Sequence, residues 1–320
     1  EGIHELFRVP IEGGAPVKLS GELVSGGEIS SFTISPDGQT AVYIADQDVD
    51  EVDELFSVPV AGGAPVKLNG PIVAGGHVHK VLISPDSSTV VYRADQDAIY
   101  VTELYSVPIA GGLVTRLNGD LTVGGDAGIG DQGQDGFVIT SDGATVVYLA
   151  DQETDGRDEL YSVPIGGGSP TKLHGELNEG TDVAEFAVTP DGSTVVFAAW
   201  PVIEGSGLFA TIIGGGPAQK IAESGSDLQI SPDGVRVVFH SSNQLSSVPV
   251  AGGTTTVLDD QVTIDYPEAT TISPDSLHVV YRDSSGILRS VATSGGTPIT
   301  LNLCPPWVSP YTSIEISPDS

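Results

Sequence analysis

Carboxylates recur at alternate positions in three short polar segments of this 320-residue sequence. They are Asp46, Asp48 and Asp50 in the first segment, Asp95 and Asp97 in the second, and Asp151, Glu153, Asp155 and Asp158 in the third. Calcium takes six to eight oxygen ligands, and a cation offsets the mutual repulsion of crowded carboxylates. The spacing therefore predicts calcium at one or more of these segments, with hydrated acidic loops as the alternative.

The third segment is the most similar to a calcium-binding loop. Its carboxylates occupy the first, third and fifth positions, and Gly156 follows at the sixth. The twelfth position is Ser162, where an EF-hand carries a bidentate Glu, so the segment is not an EF-hand.

Two histidines offer a second kind of chemistry. His77 and His79 are alternate residues at the start of a predicted strand, so their imidazoles point the same way and could face one transition metal. Carboxylates stand at comparable places in other repeats of the chain, namely Glu28, Asp135, Glu185, Asp227 and Glu268. These groups could form a ring of carboxylates that binds a cation or is part of an active site. Two surface histidines and hydrated carboxylates are the alternative.

A turn phrase that occurs seven times organises the chain. Its first copy is Ser35-Pro36-Asp37-Gly38, and its Asp returns as Asp86, Asp142, Asp191, Asp233, Asp275 and Asp319, at steps of 42 to 56 residues. Pro presets φ, Asp bonds its own backbone, and Gly tolerates the last position of a tight turn. A period of this length is typical of a repeat architecture.

Each repeat is predicted to contain four strands, A to D. Strand A precedes the turn phrase, as in residues 32–34, and the β-branched and aromatic run 40–43 is strand B. A polar loop leads to strand C at 54–58, and a Gly-Gly turn leads to strand D at 66–68. Four-stranded units repeated at this period predict a β-propeller, with function on the longer B–C and D–A loops.

The runs Ile34-Ser35-Pro36-Asp37-Gly38 and Glu54-Leu55-Phe56-Ser57-Val58 resemble the propeller repeat of the TolB type. The resemblance covers essentially the whole chain. It implies an all-β, seven-bladed β-propeller of four-stranded antiparallel blades, forming a single domain over residues 1–320. That family includes periplasmic scaffold propellers, and related repeats accompany peptidase domains or form polysaccharide lyases. The resemblance is therefore specific for fold and leaves function open.

Strands from both termini are expected to share the seventh blade. Residues 5–9 and 15–19 have the pattern of strands C and D, and residues 314–317 that of strand A. Such a closure of the ring ties the termini together and removes a sheet edge. Strand B of this blade is missing, so it is expected from residues outside this sequence or from a partner.

The chain also has no Met and no signal peptide, and is expected to be a mature or excised fragment.

Composition restricts the partners. The net charge of −31, from 43 acidic and 12 basic residues, repels phosphate backbones and excludes nucleic acid as a partner, while cations or basic proteins are favoured. There is no apolar run of about 18 residues, so no membrane span is expected. The single cysteine, Cys304, permits no internal disulfide.

Three functions remain open from the sequence. The first is a non-catalytic, extracytoplasmic propeller that binds a protein or glycan through its loop-rich face, with calcium ordering the acidic loops. The second is a lyase or hydrolase with an active site at the channel mouth, near His77, His79 and the carboxylates that precede strand A. The third is a structural module of a larger surface protein or assembly.

Overall fold

A computed structural model describes residues 4–130, 136–175, 181–200, 207–241, 243–260, 262, 270–283, 285–302 and 314–318. The chain divides into two compact units, Glu1–Thr171 and Lys172–Ser320. All regular structure in the described residues is β-strand, in six four-stranded antiparallel sheets and one two-stranded sheet. We call the four-stranded sheets blades one to six, in chain order.

The first unit contains the two-stranded sheet and blades one to three. The two-stranded sheet is formed by β1 (Phe7–Arg8) and β2 (Val17–Lys18). Blade one consists of β3 (Ile29–Ile34), β4 (Thr40–Ala45), β5 (Glu54–Pro59) and β6 (Val66–Lys67). Blade two consists of β7 (Val78–Ile83), β8 (Thr89–Ala98), β9 (Val101–Pro108) and β10 (Thr115–Arg116). Blade three consists of β11 (Phe137–Ile139), β12 (Thr145–Ala150), β13 (Glu159–Pro164) and β14 (Thr171–Lys172), whose two residues straddle the unit boundary.

The second unit contains blades four to six. Blade four consists of β15 (Asp182–Val188), β16 (Thr194–Trp200), β17 (Gly207–Ile212) and β18 (Gln219–Ala222). Blade five consists of β19 (Ser226–Ile230), β20 (Arg236–Ser241), β21 (Gln244–Pro249) and β22 (Thr256–Asp259). Blade six consists of β23 (Thr270–Ile272), β24 (His278–Arg282), β25 (Leu288–Ala292) and β26 (Ile299–Asn302).

The core lies between successive blades, because strands B and C are apolar on both faces. In blade one, Val42 and Ile44 pack with residues of blade two, while Ala41 and Tyr43 pack with Leu6 on the other face. Each fully buried Val or Ile side chain contributes roughly 1.5–3 kcal/mol through removal of apolar surface from water. This two-sided burial explains why strand B is a continuous apolar run and does not alternate between apolar and polar residues.

The turn phrase forms the predicted A–B turn. The N–H of Gly38 donates to the carbonyl of Ser35 at 2.8 Å, and Gly38 has φ of 72°. The Asp37 carboxylate accepts from the Ser35 hydroxyl at 2.5 Å and from the Gln39 N–H at 3.0 Å. Because these donors stabilise the charged form, they lower the pKa of Asp37. The same contacts recur at the other described copies of the phrase.

Two details differ from the sequence predictions. The second B–C segment, predicted as a polar loop, is an extended hairpin, because β8 continues to Ala98 and pairs with Val101 of β9. Residues 314–317, predicted as an A strand, form no strand in the structure, since a strand is defined by a hydrogen-bonded neighbour and none is described beside them. Closure by both termini, a single 1–320 domain and the origin of the missing B strand stay predictions.

The turn aspartates predict a specific loss of stability in acid. The Thr140 hydroxyl and the Ala144 N–H lower the pKa of Asp142 below its ordinary value of 3.8. A depressed pKa stabilises the fold above the unfolded value, and that contribution is lost as the pH falls below about 3.8. Asp142→Asn should therefore be less stable than the parent protein at pH 7, and the difference should shrink as the pH falls below 3.8 and Asp142 takes up a proton. Denaturant unfolding at a series of pH values measures this; a difference that does not change with pH would contradict it.

Candidate functional site: the acidic loop surface

The B–C loops of blades one to three, residues 46–53, 95–102 and 151–158, form the acidic loop surface. Each loop begins with the same triplet after strand B: Asp46-Gln47-Asp48, Asp95-Gln96-Asp97 and Asp151-Gln152-Glu153. The first two residues of each triplet turn inward and the third is exposed at the surface. In each triplet, therefore, the first two residues support the loop and the third places a charge at the surface.

The first Asp of each triplet holds backbone amides of two loops. Asp46 accepts from the N–H of Glu28 at 2.5 Å, and Asp95 accepts from that of His77 at 2.6 Å. Asp151 accepts from the N–H of Asp126, in the D–A loop, and from the N–H of Gly156 at 2.9 Å, in its own loop. These bonds tie each B–C loop to the D–A loop that enters the same blade. Such charge-assisted bonds are roughly twice as strong as neutral ones.

The Gln of each triplet completes the connection. Gln47 accepts from the Tyr43 hydroxyl at 2.7 Å and from the N–H of Gly21 at 3.0 Å. Gln96 and Gln152 make the equivalent pairs of bonds in blades two and three. Burial raises the pKa of Tyr43 to about 12, so its hydroxyl remains a donor at every physiological pH.

A buried glutamate closes each loop at the start of strand C. Glu103 pairs with Arg116 at 2.9 Å and accepts from the Tyr105 hydroxyl at 2.9 Å. Glu54 pairs with Lys67 in the same way, and Glu5 pairs with Lys18 at 2.5 Å. These basic residues neutralise carboxylates next to strand C, and Lys67 also lies 3.4 Å from the exposed Asp48.

The hairpin of blade two projects an aromatic side chain from this surface. Its two-residue turn is Ile99-Tyr100; Tyr100 has φ of 60° and is 83% exposed. The exposed carboxylate Asp97 precedes the turn. Tyr100 is not among the predicted site residues, because an aromatic residue in a polar segment has the pattern of a strand residue unless the hairpin is known.

The predicted calcium ligands are not brought together. Among the residues that the structure describes, no three His, Cys, Asp or Glu side chains are placed to hold one metal ion. Asp46, Asp95 and Asp151 face backbone amides, and amide hydrogens occupy the positions that a cation would take. The other predicted ligands, Asp48, Asp50, Asp97, Glu153, Asp155 and Asp158, lie at or near the loop tips. This arrangement does not fit a calcium cage, and calcium binding stays a prediction.

The two histidines contact different carboxylates. His79 Nε2 lies 2.9 Å from the carboxylate of Asp95. His77 Nδ1 lies 3.8 Å from the carboxylate of Asp53 and accepts from the Asp53 N–H at 3.3 Å. Their ring centroids are 6.4 Å apart. His77 therefore links the D–A loop to the preceding blade. Glu28 and Asp126 make the equivalent links for the other two D–A loops: Glu28 contacts His4, and Asp126 accepts from the Thr102 N–H.

The carboxylates predicted before strand A serve different purposes. In blade three, Asp126 takes the place that Glu28 and His77 have in blades one and two. The predicted carboxylates Asp135 and Glu268 lie outside the described residues.

In the second unit, Glu185 and Asp227 do come together. Strand β19 has a register shift between Ser226 and Gln229, where Asp227 adopts φ of 55°. Glu185 on β15 accepts from the N–H of Leu228 at 3.2 Å, which compensates for the interrupted ladder. Burial raises the pKa of Glu185 to about 7, and the charge of Asp227 acts in the same direction.

His240 interacts with Asp227 of this pair. Its Nε2 is 3.2 Å from the Thr270 hydroxyl, and its Nδ1 has no partner among the described residues. Burial lowers its pKa, against the attraction of Asp227. A buried imidazole and a carboxyl that titrates near neutrality are groups capable of proton transfer.

Comparisons with known proteins place the fold. No family model and no curated protein matches the chain. Dipeptidyl peptidase 4 from Porphyromonas gingivalis is similar over 87% of this chain and 46% of that chain, at 10% identity and a TM-score of 0.65. Oligogalacturonate lyase from Vibrio parahaemolyticus is similar over 93% and 85%, at 15% identity and a TM-score of 0.51. TolB from Acinetobacter baumannii matches 91% of this chain and 57% of its own, at 18% identity and a TM-score of 0.39.

The seven-bladed propeller fold predicted from the repeats is confirmed by the sheets and by the similarity in fold to the peptidase and the lyase. The chain spans about half of the peptidase and 57% of TolB. At these identities the similarity concerns fold alone. No helix that is long and apolar enough to span a membrane occurs in the described residues.

Replacing the first Asp of a triplet distinguishes its structural role from a calcium role. Asp151→Asn should lower stability by about 1–3 kcal/mol, because the buried amides lose a charged acceptor. The loss should be the same with a chelator and with added calcium, and Asp155→Asn at the exposed tip is the matched control. Thermal melting measures both variants. Calcium stabilisation of the parent protein that Asp151→Asn abolishes would instead support calcium at this loop.

The raised pKa of Glu185 predicts a pH-dependent stability. Between its ordinary value of 4.5 and about 7 the folded state binds a proton that the unfolded state does not, so stability falls as the pH rises through this range. Glu185→Gln should match the parent protein near pH 5 and exceed it by about 1–3 kcal/mol at pH 8. Denaturant unfolding tests this, with the exposed Glu223→Gln as control. A variant that is less stable at pH 8 would disprove the assignment.

Proposed function

We propose that this protein is a non-catalytic, extracytoplasmic propeller that binds a protein or glycan through its acidic loop surface. The observation that carries the proposal is the projecting hairpin of blade two, with the exposed side chain of Tyr100 at its tip. Exposed aromatic residues on a fixed backbone are typical anchors of protein interfaces and of sugar-binding surfaces.

The rigidity of the loops supports this function. Asp95 and Gln96 hold the base of the hairpin through backbone bonds, so little conformational entropy is lost when Tyr100 is covered. The exposed carboxylates Asp48, Asp97 and Glu153 occupy the same position in the loops of blades one, two and three. A basic protein, or a neutral glycan that stacks on the tyrosine, complements such a surface, whereas nucleic acid is repelled.

Calcium is proposed only as an accessory ligand of the loop tips. The carboxylates at the start of each loop are engaged by amides, so ordering of these loops does not require a cation. A cation that bridges exposed tips would act by reducing repulsion between them. The chelator experiment described for Asp151 tests this component separately.

A lyase or hydrolase is the second candidate. The observation that favours it is Glu185, whose pKa of about 7 suits a general acid or base, together with the nearby carboxylate of Asp227 and the imidazole of His240. An oligogalacturonate lyase and a peptidase share the fold. Activity on uronate oligosaccharides or peptides that Glu185→Gln abolishes would establish this candidate and reject the non-catalytic one.

Defined probes test the leading proposal. The protein should bind an immobilised basic globular protein, or neutral oligosaccharides, and Tyr100→Ser should weaken this binding about tenfold. Leu113→Ser, which removes a side chain of similar exposure (82%) outside the loops, is the matched control. Biosensor titration at two salt concentrations separates charge attraction from aromatic contact. Equal affinity of Tyr100→Ser and the parent protein for every probe would refute the proposal.

A further inference from the structure

Strands B and C of four blades carry a stacked pair of aromatic rings. In each pair the two residues are direct cross-strand neighbours, and the ring centroids lie 5.3 to 5.7 Å apart. The pairs are Tyr43–Phe56, Tyr92–Tyr105, Tyr148–Tyr161 and Phe197–Phe209. The ring from strand C thus fills a space beside the ring from strand B in blades one to four.

Blade five lacks the second ring of this pair. Phe239 of β20 has Ser246 of β21 as its cross-strand neighbour, at the position that Phe56 has in blade one. In blade six the same position holds a long side chain, Arg289. Ser246 is buried at 2% exposure, as is Phe56. A buried side chain that is smaller by a whole ring leaves space that the surrounding residues fill only in part.

Two further positions around the missing ring also differ in blade five. In blade two, Glu103 pairs with Arg116 and accepts from the Tyr105 hydroxyl, each at 2.9 Å. The corresponding residues of blade five are Gln244, at the start of strand C, and Val257, on strand D. The three residues that meet there in blade two are therefore replaced together by smaller or uncharged ones.

A pocket of about 190 Å³ lies at this place. Its lining comes from blades four and five, which both belong to the second unit. Phe239 and Ser246 are its buried lining residues, whereas Gln244, Thr255 and Val257 are exposed, so the pocket opens to solvent. A cavity of about 150 Å³ can bind benzene. The blade five pocket is therefore large enough for one six-membered ring.

We propose that the blade five pocket binds a phenol ring, which belongs either to a small molecule or to a tyrosine side chain of a partner polypeptide. The bound ring takes the place beside Phe239 that Tyr105 has in blade two. Its hydroxyl donates to the side-chain carbonyl of Gln244, as the Tyr105 hydroxyl donates to Glu103. The pocket is separate from the acidic loop surface of blades one to three, so failure of one proposal leaves the other standing.

The lining favours a neutral phenol over a charged ring. The amide carbonyl of Gln244 accepts a hydroxyl hydrogen, and Val257 adds apolar area at the opening. The exposed carboxylate of Glu223 also lines the pocket and repels an anion. Benzoate, which has the same ring and a negative charge, should therefore bind about tenfold more weakly than p-cresol, since its charge would be buried without a partner.

Two small probes test the pocket directly. p-Cresol should bind the 320-residue protein saturably, with one-to-one stoichiometry in calorimetry, and should raise its melting temperature, because it binds the folded state. Toluene lacks the hydroxyl and should bind about fivefold more weakly, through loss of one hydrogen bond. Gln244→Leu should bind the two probes equally. Equal affinities for p-cresol and toluene in the parent protein would contradict the role of Gln244.

Filling the pocket tests its shape. Ser246→Tyr and Ser246→Phe supply the rings that other blades carry, so both variants should melt at a higher temperature than the parent protein and should not bind p-cresol. Ser169→Tyr adds the same ring at an exposed position of the first unit and is the matched control, with unchanged p-cresol binding.

The source of the ring and the opposing outcomes are distinct. Tighter binding of the capped tripeptide Gly-Tyr-Gly than of p-cresol would indicate a tyrosine side chain, and weaker binding a small molecule. Absence of saturable p-cresol binding overturns the proposal, as does binding that Ser246→Tyr and Ser246→Phe both retain. A lower melting temperature of both filling variants would show that the space does not have the shape of a ring, and would equally reject it.

Discussion

The structure of the first unit depends on how backbone amides are satisfied where the chain passes from one blade to the next. The D–A loops leave the ladder, so their N–H groups need other acceptors or they destabilise the fold. Asp46, Asp95 and Asp151 provide these acceptors from the following B–C loops. A Cβ on Gly76 would collide with the carbonyl oxygen of Asp95, so close approach of the two loops also requires a glycine at that position.

Because of this requirement, some of the acidic residues have a structural role. A carboxylate such as Asp95 is part of the backbone hydrogen-bond pattern, and Glu103 is neutralised by Arg116, so neither contributes to a surface for ligands. Exposed neighbours such as Asp97 carry the remaining charge. The net charge thus overstates the number of carboxylates available to a cation, which is why alternation in the sequence predicted a metal-ligand set that the described residues do not assemble.

The repeat made the fold predictable, whereas the site depended on contacts between repeats. The turn around Asp37 and the apolar run of β4 are local patterns, and both are present as predicted. The partners of Asp151 are an amide 25 residues earlier in the chain and one in its own loop, and no local pattern encodes that pairing. The exposure of Tyr100 likewise follows from a hairpin whose strands are longer in blade two than in its neighbours.

The second unit meets the same backbone requirement with a different residue. At the bulge of β19 the N–H of Leu228 is accepted by Glu185, which comes from the strand of another blade and not from a loop. Burial raises the pKa of Glu185 to about 7. The same structural need is therefore met by loop carboxylates in the first unit and by a buried carboxyl that titrates near neutral pH in the second.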